Sequence, residues 1–290
     1  MSVVAPAVPG YCVDATCVCH RGLEWSDGSN TPVTGIDFTA SGLPLGCCPR
    51  CGRRGPKPTT IVLPPTLISF EDMEARVKAT REQHDRTLQD FHKVWYESGH
   101  TWVWTSFLGV GMMKNPMDLW VYQELMTKLR PKTIVETGTF AGGSALWFAV
   151  LMDALGIDDG RVITIDLDDH RKCQHDRITF VAGDSTSPAL VAAVMAEVEH
   201  PLLISLDADH SAAHVRKELD LYAPHVQVGE YLVVEDTNIS WDDEPGARGG
   251  LESYLLAHPG EFRQDMLCEH YLLSCHPGGW IQRIVECRHA

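Results

Sequence analysis

Hydrophobic positions change their period along this chain. Over residues 69–98, Phe70, Met73, Val77, Leu88, Phe91 and Trp95 recur at helical spacing and predict one long amphipathic helix. Ser69 is its expected N-cap, with Asp72 three residues on. From residue 101 short apolar runs alternate with helical patterns. Pro116–Leu129 reads as a helix with Asn115 as N-cap and proline at the first helical position. Strands are expected at Thr133–Val135, Val162–Ile165, Ile178–Ala182, Leu202–Leu206 and Tyr231–Val234. Helices are expected at Gly143–Leu155, Pro188–Glu197 and Ser211–Leu221. Tyr271–Ser274 and Trp280–Ile284 read as a closing pair of strands flanking the turn His276–Gly279. This alternation predicts an α/β fold, a parallel sheet with helices on both faces.

The first part of the chain has no such pattern. Residues 1–57 are rich in Cys, Gly and Pro, and residues 58–66 (PTTIVLPPT) read as an extended linker. Three regions are expected: a Cys-rich segment over 1–57, a linker and long helix over 58–100, and the α/β domain over 101–290.

Charge narrows the range of partners. Acidic residues number 39 against 24 basic, a formal net charge of −15. That balance argues against nucleic acid, whose binding draws on clustered Lys and Arg, and against an anionic membrane surface. The opening MSVVAPAVPG carries no basic residue, and no apolar run approaches the ~20 residues a membrane span needs. A cytoplasmic protein is expected. Six of the ten cysteines fall in the first 51 residues, and clustered thiols in a reducing compartment point to metal before disulfides.

Candidate chemistry gathers at strand ends. The first strand of the sheet runs into Glu136-Thr-Gly138-Thr139-Phe-Ala-Gly142-Gly-Ser144. Glycines at a strand-to-helix turn let a ligand approach the backbone, and a leading acid suits a cation better than a pyrophosphate. A cofactor with an ammonium group, such as S-adenosylmethionine (SAM), fits. Asp166 ends the next strand, where it could accept from ribose hydroxyls; Asp184 ends the third, where it could meet an adenine amino group, with Ser185 beside it. Each acid alone could simply cap a helix. The three in succession favour the cofactor.

The fourth strand runs into Asp207-Ala-Asp-His210 and the fifth into Glu235-Asp236. Adjacent carboxylates repel unless a cation lies among them, and a hard divalent ion such as Mg²⁺ takes oxygen ligands. Asp207, Glu235 and Asp236 are therefore candidate ligands for Mg²⁺ or Mn²⁺. His210, three residues after Asp207, is the candidate general base. His214, one helical turn later, reads as an ordinary surface or packed histidine.

These motifs resemble a known family. Asn115-Pro-Met-Asp118-Leu-Trp-Val-Tyr-Gln-Glu124, Ile134-Val-Glu-Thr-Gly-Thr, Asp207-Ala-Asp-His-Ser211, Tyr231-Leu-Val-Val-Glu-Asp-Thr-Asn238 and Pro277-Gly-Gly-Trp280 resemble the cephalosporin hydroxylase/rhamnosyl O-methyltransferase family over residues 100–287. The resemblance implies a Rossmann-like, SAM-dependent methyltransferase that uses a divalent metal. Related macrolide-sugar O-methyltransferases use Asp-x-x-His with histidine as base, which falls on Asp207 and His210, whereas catechol-type relatives carry lysine at that offset. A sugar hydroxyl, free or in a glycosylated metabolite, is the acceptor this implies. None of the fourteen histidines is followed two residues later by Asp or Glu, which argues against an H-x-D/E iron oxygenase.

Two features stand apart. Cys48-Pro-Arg-Cys51-Gly52 has the form of a zinc knuckle, and with Cys17-Val-Cys19 it makes a candidate structural Zn²⁺ site, with Cys12, His20 and Cys47 as alternative ligands. The stretch Ser240–Gly250 reads as a substrate lid, in which Trp241 could stack on a sugar ring and Arg248 could anchor a polar group. The apolar surface of the long helix can pack between subunits, which suits a homo-oligomer, or it can cover the sheet. Two other functions are weighed against the sugar methyltransferase: the same fold acting on a phenol, and a non-catalytic SAM-fold module whose zinc head binds a partner.

Overall fold

A computed structural model describes residues 69–239 and 245–285. The described residues fall in one compact unit, Ile68–Ala290. The proposed zinc ligands Cys17, Cys19, Cys48 and Cys51 lie outside the described residues, as does Trp241.

Helix α1 (Phe70–Glu97) begins as expected: the Ser69 hydroxyl accepts the amide of Asp72 at 3.0 Å. It is not continuous, because His84 leaves the helical region (φ −115°, ψ 16°). On the expected apolar face Val77 is buried, whereas Phe91 is 50% exposed. A two-stranded hairpin follows, β1 (Ser106–Phe107) and β2 (Val110–Gly111), and then α2 (Pro116–Leu129), capped by the Asn115 side chain at 3.1 Å.

The sheet begins with β3 (Thr133–Thr137), two residues longer than expected, then α3 (Gly143–Leu155), β4 (Arg161–Asp166), β5 (Ile178–Ala182) and α4 (Pro188–Met195). It continues with β6 (Leu202–Leu206), α5 (Ala212–Tyr222), β7 (Tyr231–Val234), α6 (Gly246–Ala257), β8 (Phe262–Gln264) and β9 (Trp280–Arg283). Strand order is β5-β4-β3-β6-β7-β9-β8; the first five are parallel, and β9 and β8 are antiparallel additions. The chain moves outward from β3 to β5, then restarts on the other side at β6. The carboxyl ends of β3 and β6 therefore bracket a switch point, where open α/β sheets bind ligands.

Burial on both faces explains the continuous apolar runs of these strands. Ile134, Val162 and Leu203 pack with Tyr122, Phe148 and Trp280 on one face. Val135, Ile163 and Ile204 pack with Val191, Leu219 and Leu251 on the other.

Two expectations fail. Tyr271–Ser274 is not a strand; β9 pairs with β8 instead. Leu272 takes a positive φ of 67°, and its carbonyl accepts the Arg81 guanidinium at 3.0 Å, so side chains rather than a ladder hold this segment. The second half of the expected lid is the start of α6, not a loop. A Cβ at Gly250 would lie 2.7 Å from the Ala212 carbonyl oxygen, so that glycine serves close packing of α6 on α5. Arg248 lies in the first turn of α6, and its Nε donates to the Thr237 carbonyl at 3.1 Å.

Candidate active site

A cavity of about 850 Å³ opens at the switch point. The turn after β3 forms one side of it: Gly138, Thr139, Phe140 and Ser144 line it. Gly138 has φ +84°, and its missing side chain is required because a Cβ would stand 1.9 Å from the Asp207 carbonyl oxygen. The ends of β3 and β6 therefore touch. Gly142 (φ +85°) does not line the cavity; it caps α3 against Cys173, whose sulfur would lie 2.8 Å from an added Cβ.

Glu136 is buried beneath this turn. Its Oε2 accepts the Thr164 hydroxyl at 2.7 Å. Burial pushes its carboxyl up to about 7, opposed by the Lys114 charge and by nearby Ser144 and Thr164 hydroxyls. Ser144 is close enough to lower it, yet Oε1 meets no donor in hydrogen-bond geometry among the described residues. Glu136 does not itself line the cavity, although Ser144 does; its unsatisfied buried oxygen is the feature that suits a cationic ligand.

Asp166 and Asp184 both line the cavity. Asp166 accepts the amides of Phe140 (2.9 Å) and Leu167 (2.8 Å), which ties the β3 turn to β4. One Asp184 oxygen accepts the amide and hydroxyl of Thr186, each at 2.8 Å, and these bonds hold its carboxyl low. Ser185 is buried, with its hydroxyl 3.2 Å from His214 Nε2. His214 thus belongs to the cavity wall, where the Glu218 carboxylate, 3.4 Å from its Nε2, raises it against burial.

Asp207, His210 and Asp236 each bring one donor atom to a common point, all within 4.8 Å of one another. His210 Nε2 lies 3.4 Å from Asp236 and 4.0 Å from Asp207. Asp236 takes a left-handed conformation (φ 55°), and its amide donates to His276 Nδ1 at 3.0 Å. Two carboxylates at that spacing fit a small divalent ion, with the His210 imidazole beside them.

Glu235, expected beside them as a ligand, lies outside that trio. It is 1% exposed, and both its oxygens are occupied: Oε1 accepts Tyr122 (2.7 Å) and Ser205 (2.5 Å), and Oε2 accepts Lys114. Lys114 is itself 3% exposed and also donates to Asp207 at 2.6 Å. Burial alone would raise Glu235, but the Lys114 ammonium, His276 and these hydrogen bonds hold it at about 2. Burial and the charge of Glu235 push Asp207 up. Lys114 is a site residue the sequence reading missed, since attention went to acids and histidine at strand ends. One signal was available: a lysine after the run Val110-Gly-Met-Met113 and directly before a helix cap.

The far wall is aromatic. Trp95, Tyr96 and Trp102 line the cavity, and the Tyr96 and Trp102 rings stack at 5.3 Å and 7°. Burial and the charge of Asp236 raise the Tyr96 phenol, so this wall adjoins the ion side of the cavity.

The family model described as Rhamnosyl O-methyltransferase/CmcI matches residues 99–284. The chain belongs to this family. It is accordingly a SAM-dependent O-methyltransferase. A rhamnosyl O-methyltransferase of Mycobacterium bovis is 34% identical over 194 residues, covering 62% of this chain and 78% of the relative. Its counterpart in Mycobacterium leprae is 32% identical over 196 residues, covering 64% and 85%. Among solved structures, apo CmcI is similar at 28% identity and a TM-score of 0.52, covering 62% of this chain and 76% of that one. CmcI with Mg and SAM gives the same identity and TM-score, covering 62% and 77%. The family match takes in every candidate cofactor and ion residue, and Lys114 with them. It stops short of α1, which supplies Trp95 and Tyr96.

Proposed function

We propose that this O-methyltransferase acts on a sugar hydroxyl, free or within a glycosylated metabolite, with His210 as general base. One observation carries the reading. Asp207, His210 and Asp236 converge at the switch point beside the turn that would hold the cofactor. The rhamnosyl O-methyltransferases among its relatives, by their name, favour a sugar, and Trp102 and Tyr96 offer aromatic faces to its apolar side.

When bound, SAM supplies an electrophilic methyl group and a divalent ion, Mg²⁺ or Mn²⁺, makes an acceptor hydroxyl more acidic. Asp207 and Asp236 would hold the ion, and Glu235 would complete the set through the oxygen it shares with Lys114. Glu136 would pair with the ammonium group of SAM, Asp166 with its ribose, and Asp184 and Ser185 with its adenine. His210 Nε2 takes the acceptor proton. Orientation of the acceptor by the aromatic wall supplies much of the rate.

The test is SAM consumption against a panel of sugars, glycosides and phenols, with and without EDTA. Turnover on a glycoside, abolished by EDTA and restored by Mg²⁺, is expected. His210→Ala should cut it by ~10²–10⁴ while SAM affinity holds. Turnover confined to phenols would overturn the sugar assignment, and an unchanged rate in His210→Ala would remove the base.

We further propose a structural Zn²⁺ on Cys17, Cys19, Cys48 and Cys51, checked by metal analysis of the full chain. A cytoplasmic homo-oligomer is proposed as well, checked by light scattering. No helix among the described residues is long and apolar enough to cross a membrane.

A further inference from the structure

Lys114 occupies an unusual place for a lysine. Its ammonium is almost fully buried and lies between the carboxylates of Asp207 and Glu235. Two separate features hold it there. Its own amide donates to the Thr105 hydroxyl at 3.0 Å, and the preceding residue but one, Met112, donates to the Thr105 carbonyl at 3.1 Å, so the β1–β2 hairpin fixes the backbone. Asn115 then caps α2, which fixes the next residue. The side chain is directed inward from a pinned segment.

The two carboxylates differ in their access to water. Asp207 keeps 21% of its side chain exposed, whereas Glu235 keeps 1%. Asp207 can be solvated without Lys114. Glu235 cannot; beside Lys114 it meets the neutral Tyr122 and Ser205 hydroxyls and the His276 ring, 3.4 Å from its Oε2. An uncompensated buried carboxylate is strongly destabilising.

We propose that Lys114 is the built-in counter-cation of the divalent-ion site, holding the Asp207 and Glu235 carboxylates in place before the ion arrives. The inference rests on the ion reading above. Lys114 is thus a positioning residue: it acts on the carboxylates and need not touch the acceptor or the methyl group.

The test is thermal unfolding of the full chain in EDTA and in excess Mg²⁺, for wild type, Lys114→Met, Glu235→Gln and the double variant. In EDTA, Lys114→Met should melt roughly 6–20 °C below wild type. The double variant, which removes the stranded charge with its partner, should regain most of that loss. Mg²⁺ should raise the midpoint of Lys114→Met by more than it raises that of wild type, because the ion then replaces the missing charge. If Lys114→Met does not fold, recovery of folding in the double variant carries the same result.

An unchanged midpoint in Lys114→Met, or a double variant no more stable than it, would overturn the proposal by showing that Lys114 merely fills space. Equal Mg²⁺ shifts in wild type and Lys114→Met would overturn it too. A wild type indifferent to Mg²⁺ is a different failure, that of the ion reading itself.

Discussion

Replacing Gly138 with alanine would test whether the β3 turn and the end of β6 form one unit. The glycine sits at φ +84°, which costs an L-residue roughly 1–2 kcal/mol. The added Cβ would stand 1.9 Å from the Asp207 carbonyl oxygen, 2.7 Å from its carbonyl carbon and 3.1 Å from the Ala208 Cα. These are backbone atoms and cannot swing aside. Neither side can retreat freely, since Gly138 donates to the Ile165 carbonyl at 2.8 Å and Asp207 donates to the Thr137 carbonyl at 3.1 Å. Overpacking of this kind adds about 1–3 kcal/mol. The total loss is then about 2–5 kcal/mol, or roughly 4–20 °C in Tm for a domain of this size. Because the displaced atoms belong to Asp207, affinity for Mg²⁺ should fall along with affinity for SAM. Urea unfolding and calorimetric titration of both ligands would measure this. A variant with wild-type stability and unchanged affinity for both ligands would refute the contact.

Two other changes probe the same machinery. With burial holding Glu136 at about 7, its carboxyl is neutral below that pH and charged above it, so SAM affinity should rise about tenfold from pH 6 to pH 8. Burial of this raised acid favours the fold at low pH, an advantage lost as pH climbs from the ordinary carboxylate range through about 7; Glu136→Gln should flatten both profiles in calorimetry and melting. His276→Ala leaves the Asp236 amide without its acceptor and should cost about 1–3 kcal/mol in urea unfolding, with weaker Mg²⁺ binding. His276→Asn, which retains an acceptor, should lose less.

Much of this arrangement was legible in the sequence, for identifiable reasons. Strands buried on both faces read as short apolar runs, and the caps at Ser69 and Asn115 use side chains whose preference for that position is local. The acids at strand ends were found because the parallel sheet itself brings its carboxyl ends together. What escaped notice depends on contacts distant in sequence. Lys114 and Glu235 are separated by 121 positions, and nothing local marks their pairing. Glycines near residue 250 looked like a mobile loop because closeness of α6 to α5 leaves the same sequence trace as freedom to bend. The expected strand at Tyr271–Ser274 had the right composition, but Arg81, 191 positions away from Leu272, claims its backbone.

The aromatic wall has a consequence for how this enzyme can diversify. Trp95 and Tyr96 come from the last turn of α1, just ahead of the segment shared with the family, whereas the ion and cofactor residues all come from within it. Trp102, the third ring of the wall, lies inside that segment, so changes upstream of residue 99 would alter two of the three rings that the proposed acceptor meets. On the proposed reading of the acceptor, a library confined to the end of α1 is the economical place to seek new acceptors.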